Sequence, residues 1–267
     1  MNDQAAQVGN PNRTDVQMVN GRVVNKPVSN AQPLPEVPSS DLLQSDKWGE
    51  SWKKQAGEPD NAINALADAQ ANISRSFKTF MEMRSNQSPH QTQAQHLDML
   101  AKDYKTTVNR AAGQTDRAVE RAKARLGEIE SQFKQTIGWN DRDAQELRSV
   151  VRSMSDNDRA EFIGSAIQNG DGQALAAILG GHPSLSGITA DMQAAHRSRA
   201  MQLHAPKLLS LERTINKAVE STREAFLQML DREEAVTASK LREKYAAQAR
   251  AAAEARQRAI GDDGRWG

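Results

Sequence analysis

After Pro206 the chain carries no further Pro or Gly until Gly261, and apolar side chains recur there at helical spacing. Leu208, Leu211, Ile215, Val219, Phe226 and Leu230, with Thr222 between them, form one stripe at intervals of three and four. Leu208, Val219, Leu230 and Leu241 also recur every eleven residues, as do Ile215 and Phe226. An eleven-residue period keeps a narrow seam almost straight along a helix, so the pattern predicts one long helix over 206–260 facing another helix. At 1.5 Å per residue it would run about 80 Å, far beyond a compact domain of this chain length.

A matching seam lies upstream. Over 89–137 it reads Leu97, Leu100, Tyr104, Val108, Ala111, Thr115, Val119, Ala122, Leu126, Phe133 and Ile137, again with an eleven-residue period. Two helices of equal period are natural partners. The Ala and Thr positions permit close approach while burying little area, which predicts a weak middle. Gly113 costs about 1 kcal/mol relative to Ala and predicts a kink or break. A shorter helix over 60–84 carries Ile63, Leu66, Ile73, Phe77 and Phe80, with Gln70 interrupting the stripe and Asp60 or Asn61 as its cap.

Residues 139–188 read differently. Short apolar segments (Leu147, Val150, Val151; Phe162, Ile163, Ile167; Leu175, Ile178, Leu179) alternate with turns rich in Gly and Pro. Ser155 and Thr189 are candidate helix caps. The expected architecture is all-α: a long antiparallel, coiled-coil-like helical hairpin with a small helical insert at one end and the 60–84 helix folded back on the other. The expected divisions are an arm over 1–58, the first stalk helices over 59–138, the insert over 139–188, returning stalk helices over 189–260 with a bend at Pro206, and a polar tail over 261–267.

The arm is rich in Asn, Gln, Ser and Pro, a composition that predicts disorder in isolation. Two pieces stand out within it. Asn20-Gly21 lies between the β-prone runs 16–19 and 22–24, a strong hairpin signal, although a lone hairpin is marginal in water and a fluctuating turn is the alternative. Trp48 and Trp52 would share one helical face and would either fold back on the stalk or anchor a partner.

Composition narrows the function classes. Only 37% of the 267 residues are hydrophobic and 4% aromatic, enough for thin seams between helices rather than a wide core. The formal charge of +1 gives no general attraction to nucleic acid or anionic membranes. No run of about 18 apolar residues exists to insert into a membrane. The first residues lack the pattern of a secretory signal and cysteine is absent, so a cytoplasmic setting is expected. No phosphate-binding loop, metalloprotease motif or nucleophile elbow occurs, and the five histidines are scattered. No catalytic residue, metal ligand or cofactor site is therefore assigned, and the chain reads as non-enzymatic.

Candidate binding residues come from exposed features instead. Over 240–258, Lys240, Arg242, Lys244, Arg250, Arg256 and Arg258 oppose only Glu243 and Glu254. This is either a solvated helix end favoured by the macrodipole or a docking surface for an acidic protein or nucleic acid. Leu185, in the loop around Pro183, is a further candidate, beside Trp48 and Trp52.

The segment 171–188, Asp-Gly-Gln-Ala-Leu-Ala-Ala-Ile-Leu-Gly-Gly-His-Pro-Ser-Leu-Ser-Gly-Ile, resembles a stretch found in proteins of tailed bacteriophages. The long charged helices and absent cysteine are similar in layout to phage scaffolding and minor virion proteins, although scaffolding proteins are often more acidic. The resemblance implies an assembly role with protein partners, capsid or other virion proteins among them, or further copies of the chain, in the host cytoplasm and the virion. It assigns no functional residue. The alternative expectation is a nucleic-acid-associated protein using the basic helix end.

Overall fold

The computed structural model describes residues 14–19, 22–27, 31–45 and 47–262. Apart from one hairpin it is all-α. Strands β1 (Thr14–Val19) and β2 (Arg22–Pro27) pair antiparallel with Val19 opposite Arg22, so the runs flanking Asn20-Gly21 do pair. Helices α1 (Asp41–Gln44) and α2 (Trp48–Ala56) lead into α3 (Asn61–Ser85) and α4 (Gln93–Thr136). The insert holds α5 (Ala144–Ser153), α6 (Asp156–Asn169), α7 (Gly172–Leu179) and a 3-10 turn (Pro183–Ser186). Then follow α8 (Ala190–His204), α9 (Pro206–Asp231), α10 (Glu233–Thr237) and α11 (Ser239–Asp262). Of the expected tail, residues 263–267 lie outside the described residues.

Local chemistry sets the helix ends. The Asp60 carboxylate accepts from the amides of Ala62 and Ile63 at 2.9 and 3.2 Å, capping α3. Its other oxygen accepts from Arg125 Nε at 2.7 Å, so the cap also fixes where α3 starts along α4. Thr92 and Gln95 form a reciprocal capping box at the start of α4, a few residues after the expected start at Pro89. Gly138, at φ 65°, lets the chain turn out of α4, and Trp139 N–H donates to the Lys134 carbonyl at 2.8 Å. Ser155 and Thr189 cap α6 and α8 as expected.

The body is a three-helix bundle of α3, α4 and α9 rather than a two-helix hairpin joined at one end by a third helix. Helix α4, with 44 residues, is about 66 Å long. It runs continuously through Gly113, where the expected break does not occur, because tertiary contacts on both sides outweigh one residue's propensity. The residues buried deepest on α9 are Leu209, Thr214, Ile215, Ala218, Thr222, Ala225 and Met229, while Leu208, Leu211, Val219, Phe226 and Leu230 are half-buried flanks. The stripe read from the sequence is thus one edge of a wider face that α9 turns to both α3 and α4. Small residues (Ala111, Thr115 and Ala118 on α4; Ala218, Thr222 and Ala225 on α9) form a narrow waist. Large side chains gather in two clusters on either side of it.

The single helix expected over 206–260 is broken twice. Helix α9 stops at Asp231, α10 follows, Ala238 adopts φ 48°, and α11 begins. No Gly or Pro marks these breaks, and side-chain hydrogen bonds account for the first. Tyr104 Oη donates to the Met229 carbonyl at 2.6 Å, occupying the acceptor that the Glu233 amide would use in a continued helix. Arg232 Nη1 donates to the Gln228 carbonyl at 2.9 Å, closing the end of α9 with its own side chain. The kink turns Val236 and Ala238 into the core beside Phe80, Leu100 and Tyr104.

The expected arm over 1–58 is corrected for its last part, where α1 and α2 pack on the bundle. Leu43 and Trp52 are buried, Trp52 at 2% exposure. Gln70, the residue interrupting the α3 stripe, donates through Nε2 to the Leu42 carbonyl at 2.8 Å, and Ser74 Oγ donates to the same carbonyl at 3.0 Å. Gly49 lies so close to Ala67 that an added Cβ would stand 2.4 Å from the Ala67 Cβ. The residues before Thr14 lie outside the described residues.

Two outcomes follow. Ile129, fully buried but absent from the seam read in the sequence, should cost about 3 kcal/mol as Ile129→Ala. Half-buried Leu126 and Phe226 should each cost about half as much on truncation to Ala, compared by denaturant melts. Burial, reinforced by Glu233, holds the Tyr104 phenol well above its ordinary value, against a smaller opposing effect from Arg232. The unfolded chain therefore loses this proton first, and the associated stability, complete below about pH 10, declines as pH rises above it. Tyr104→Phe should cost about 1 kcal/mol at neutral pH, and its gap to wild type should narrow above about pH 10.

Candidate docking surfaces

The nine sequence candidates separate into four places. Trp52 fills the core between α2, α3 and α9 and is removed as a partner anchor: an indole at 2% exposure has nothing left to offer. Trp48 stays at the surface, 37% exposed, with Nε1 donating to the Asp41 carbonyl at 3.4 Å. Leu185, on the 3-10 turn, is 47% exposed. The six cations all lie on α11, and α11 divides them. Lys240 pairs with Glu234 at 2.8 Å, and that carboxylate holds the ammonium above its ordinary value. Arg242 pairs with Asp98 at 3.1 Å. Lys244, Arg250, Arg256 and Arg258 are exposed.

Only the start of α11 rests on the bundle. Leu241 and Tyr245 pack beside the cluster around Tyr104, and Tyr245 Oη donates to Gln93 Oε1 at the start of α4. Every residue over 246–260 is exposed. Contacts step along α4 from Asp98 to Gln93 as α11 advances, so α11 passes the α3–α4 turn and continues into solvent. Eight alanines between 246 and 259 supply the helix propensity that this unsupported stretch needs.

The opposite end is rigid and shaped. Helix α8 folds back on α9 across Ala205, and Arg197 forks to Glu212 at 2.9 Å and Glu130 at 2.7 Å, locking α8, α9 and α4 together. Arg159 donates to the carbonyls of Val151, Met154 and Gly187 at 3.0, 2.8 and 3.0 Å. Gln193 Nε2 takes the carbonyls of Ile178, Leu179 and Gly181 at the end of α7. Gly172 abuts the end of α4, where a Cβ would lie 2.2 Å from the Gly138 carbonyl oxygen. The insert core is continuous with the bundle: Ile163, Ile167, Leu175 and Ile178 pack in one cluster with Phe133, Ile137 and Met201.

On the outer face of the insert lies a cleft of about 410 Å³. Leu147, Val150, Phe162 and Ala174 give it an apolar floor, and Asp143, Glu146 and Asp171 give it an acidic rim. Val150 is 50% exposed while its neighbour Val151 is fully buried. The Val150-Val151 doublet was legible in the sequence, but which valine faces outward was not. No arginine of the insert lines the cleft.

A second cleft, of about 560 Å³, lies between Pro33, Pro35 and Pro38 of the arm and α10 with the start of α11. Arg232 closes one side of it, donating to the Pro38 and Ser39 carbonyls at 2.9 and 3.1 Å. Among the described residues no group of three or more His, Asp or Glu side chains is placed to hold a metal ion, and no helix is long and apolar enough to cross a membrane. No family model, curated protein or solved structure matches the chain.

Arg232 thus ties the arm to the end of α9. Arg232→Ala should speed amide hydrogen exchange over 34–45 by about tenfold or more, since about 1–3 kcal/mol of carbonyl pairing is lost. Arg242→Ala, which breaks a pair elsewhere on the same face, should leave exchange in that segment unchanged.

Proposed function

We propose that this chain is a non-enzymatic assembly protein, a helical rod that presents its insert to a protein partner. The observation carrying the reading is the insert's surface, which holds an acid-rimmed apolar cleft and, outside that cleft, exposed Leu185, on a scaffold tied together by Arg159, Gln193 and Arg197. Rigid elements that display apolar groups in a shaped polar frame favour recognition, because little order has to be created on binding. In finer detail, the reading keeps α4 and α9 as the antiparallel stalk that holds the insert at one extremity. The resemblance of 171–188 to a stretch in tailed-phage proteins suggests the setting: a virion or scaffolding-type component, working in the host cytoplasm and the particle.

The exposed cations of α11 favour a second reading, in which the helix end associates with nucleic acid. Salt separates the two. Polyanion binding falls steeply with ionic strength through counterion release, whereas association through the insert's apolar floor is far less sensitive.

Excising 141–187 would uncover Phe133, Ile137 and Met201, so substitution on the surface is the cleaner test. Tagged wild type and Leu185→Asp should be used to capture partners from the native host, followed by mass spectrometry. The expected result is a virion or capsid protein retained by wild type and reduced about tenfold or more by Leu185→Asp, with unchanged circular dichroism. Equal capture by both proteins removes Leu185 from the recognition surface, and recovery of nucleic acid alone favours the second reading.

A further inference from the structure

The exposed stretch of α11 and the insert cleft are complementary in charge and lie at opposite ends of the molecule. Residues 139–188 hold seven carboxylates and four arginines. Two of those arginines, Arg148 and Arg159, are already committed to backbone carbonyls within the insert. The rim of the cleft is carboxylate on every charged side. On the part of α11 that leaves the bundle, 246–262, three cations oppose two carboxylates, and neither Glu254 nor Asp262 shares the helix face of Arg256. On α11, Arg256 and Ile260 stand one turn apart on one face, with Ala249 and Ala253 continuing that face toward the bundle. Ile260 is a large apolar side chain left 60% exposed.

The two surfaces cannot meet within one molecule. The cleft lies beyond the C-terminal end of α4, α11 projects beyond its N-terminal end, and the 44 residues of α4 separate them by about 66 Å. We propose that the insert cleft receives the last turns of α11 from a second copy of this chain. Ile260 covers the apolar floor formed by Leu147, Val150 and Phe162, and Arg256 faces Glu146 and its neighbouring carboxylates. The alanine face lets the incoming helix lie close against the insert, where a helix with large side chains would be held off. The contact joins two different surfaces, so each copy keeps one free cleft and one free α11. Such a head-to-tail contact propagates into a ring or an open filament rather than closing as a two-fold dimer.

The proposal rests on the interaction-protein reading, but it is tested on the purified chain without any host partner, so the two can fail separately. Sedimentation velocity of the full chain should show mass rising with concentration at low salt, and about tenfold weaker association at about 0.5 M salt. Arg256→Glu should be monomeric for want of a competent α11, and Glu146→Arg or Val150→Asp for want of a competent cleft. Mixing Arg256→Glu with Val150→Asp should give a 1:1 dimer and nothing larger, because one intact cleft and one intact α11 remain; mixing it with Glu146→Arg, which restores an opposite-charge pair at the second contact, should allow larger assemblies as well. Two cleft variants are used so that one poorly folded protein, recognised by its thermal melt, does not decide the result. A wild-type chain that stays monomeric at every concentration overturns the proposal. So does association lost in Arg256→Glu but kept in both cleft variants, which would mean that α11 pairs with α11, and so does a mixture that fails to dimerise.

Discussion

Helices α4 and α9 meet at a waist of alanine and threonine, and this scarcity of large side chains governs what the remaining segments must do. Where Ala111, Ala118, Ala218 and Ala225 line the contact, little apolar area is available to bury. The large side chains are displaced toward the two ends, into separate clusters that three helices alone do not enclose. One end is sealed by Trp52 of α2 and by the insert; the other by Leu43 of α1 and by the kinked α10. The arm and the insert are therefore structural parts of the bundle as well as its outward surfaces.

The seals depend on a small number of polar links between distant parts of the chain. Asp60 with Arg125 sets the register of α3 on α4. Tyr104 with Met229 sets where α9 ends, and Arg232 couples that end to Pro38 and Ser39 nearly two hundred residues earlier. The arginines in these links are half-buried, where a hydrogen bond to a charged group contributes more than it would in open water while the desolvation cost stays modest. Arg197 is the clearest case: burial disfavours its charge, and hydrogen bonds to Glu212 and Glu130 more than offset that, raising its pKa. The order of packing is thus specified by polar geometry acting on seams that are themselves permissive.

Much of this was legible in the chain itself wherever the signal is local. Asp60, Ser155 and Thr189 appear where capping chemistry requires them, Gly138 where a helix must turn out, and Pro206 where α8 and α9 separate. The α4 seam follows its spacing closely, missing mainly Ala118 and Ile129 because a two-helix hairpin needs a narrower face than a three-helix bundle. What escaped was non-local. No Gly or Pro stands near Arg232 or Ala238; the end of α9 is set by the Tyr104 phenol, 125 positions before its acceptor Met229, together with the Arg232 side chain. Leu43 and Trp52 sit in polar, proline-rich surroundings whose composition masks two core residues. In the candidate docking surface, the cations of α11 could be read directly, whereas the acid-rimmed cleft exists only once α5, α6 and α7 are packed together.

The seating of Leu241 and Tyr245 against α4 has a consequence for the helix that follows them. An alanine-rich segment of this length is only marginally helical in water, because the first turn must be ordered before any hydrogen bond compensates for it. In α11 that first turn is already built, held by the Arg242–Asp98 pair and the Tyr245–Gln93 hydrogen bond. The bundle thus acts as a nucleus from which the rest of the helix only has to propagate. Heating should then unwind α11 gradually from its free end, turn by turn, well before the bundle itself melts in a cooperative step.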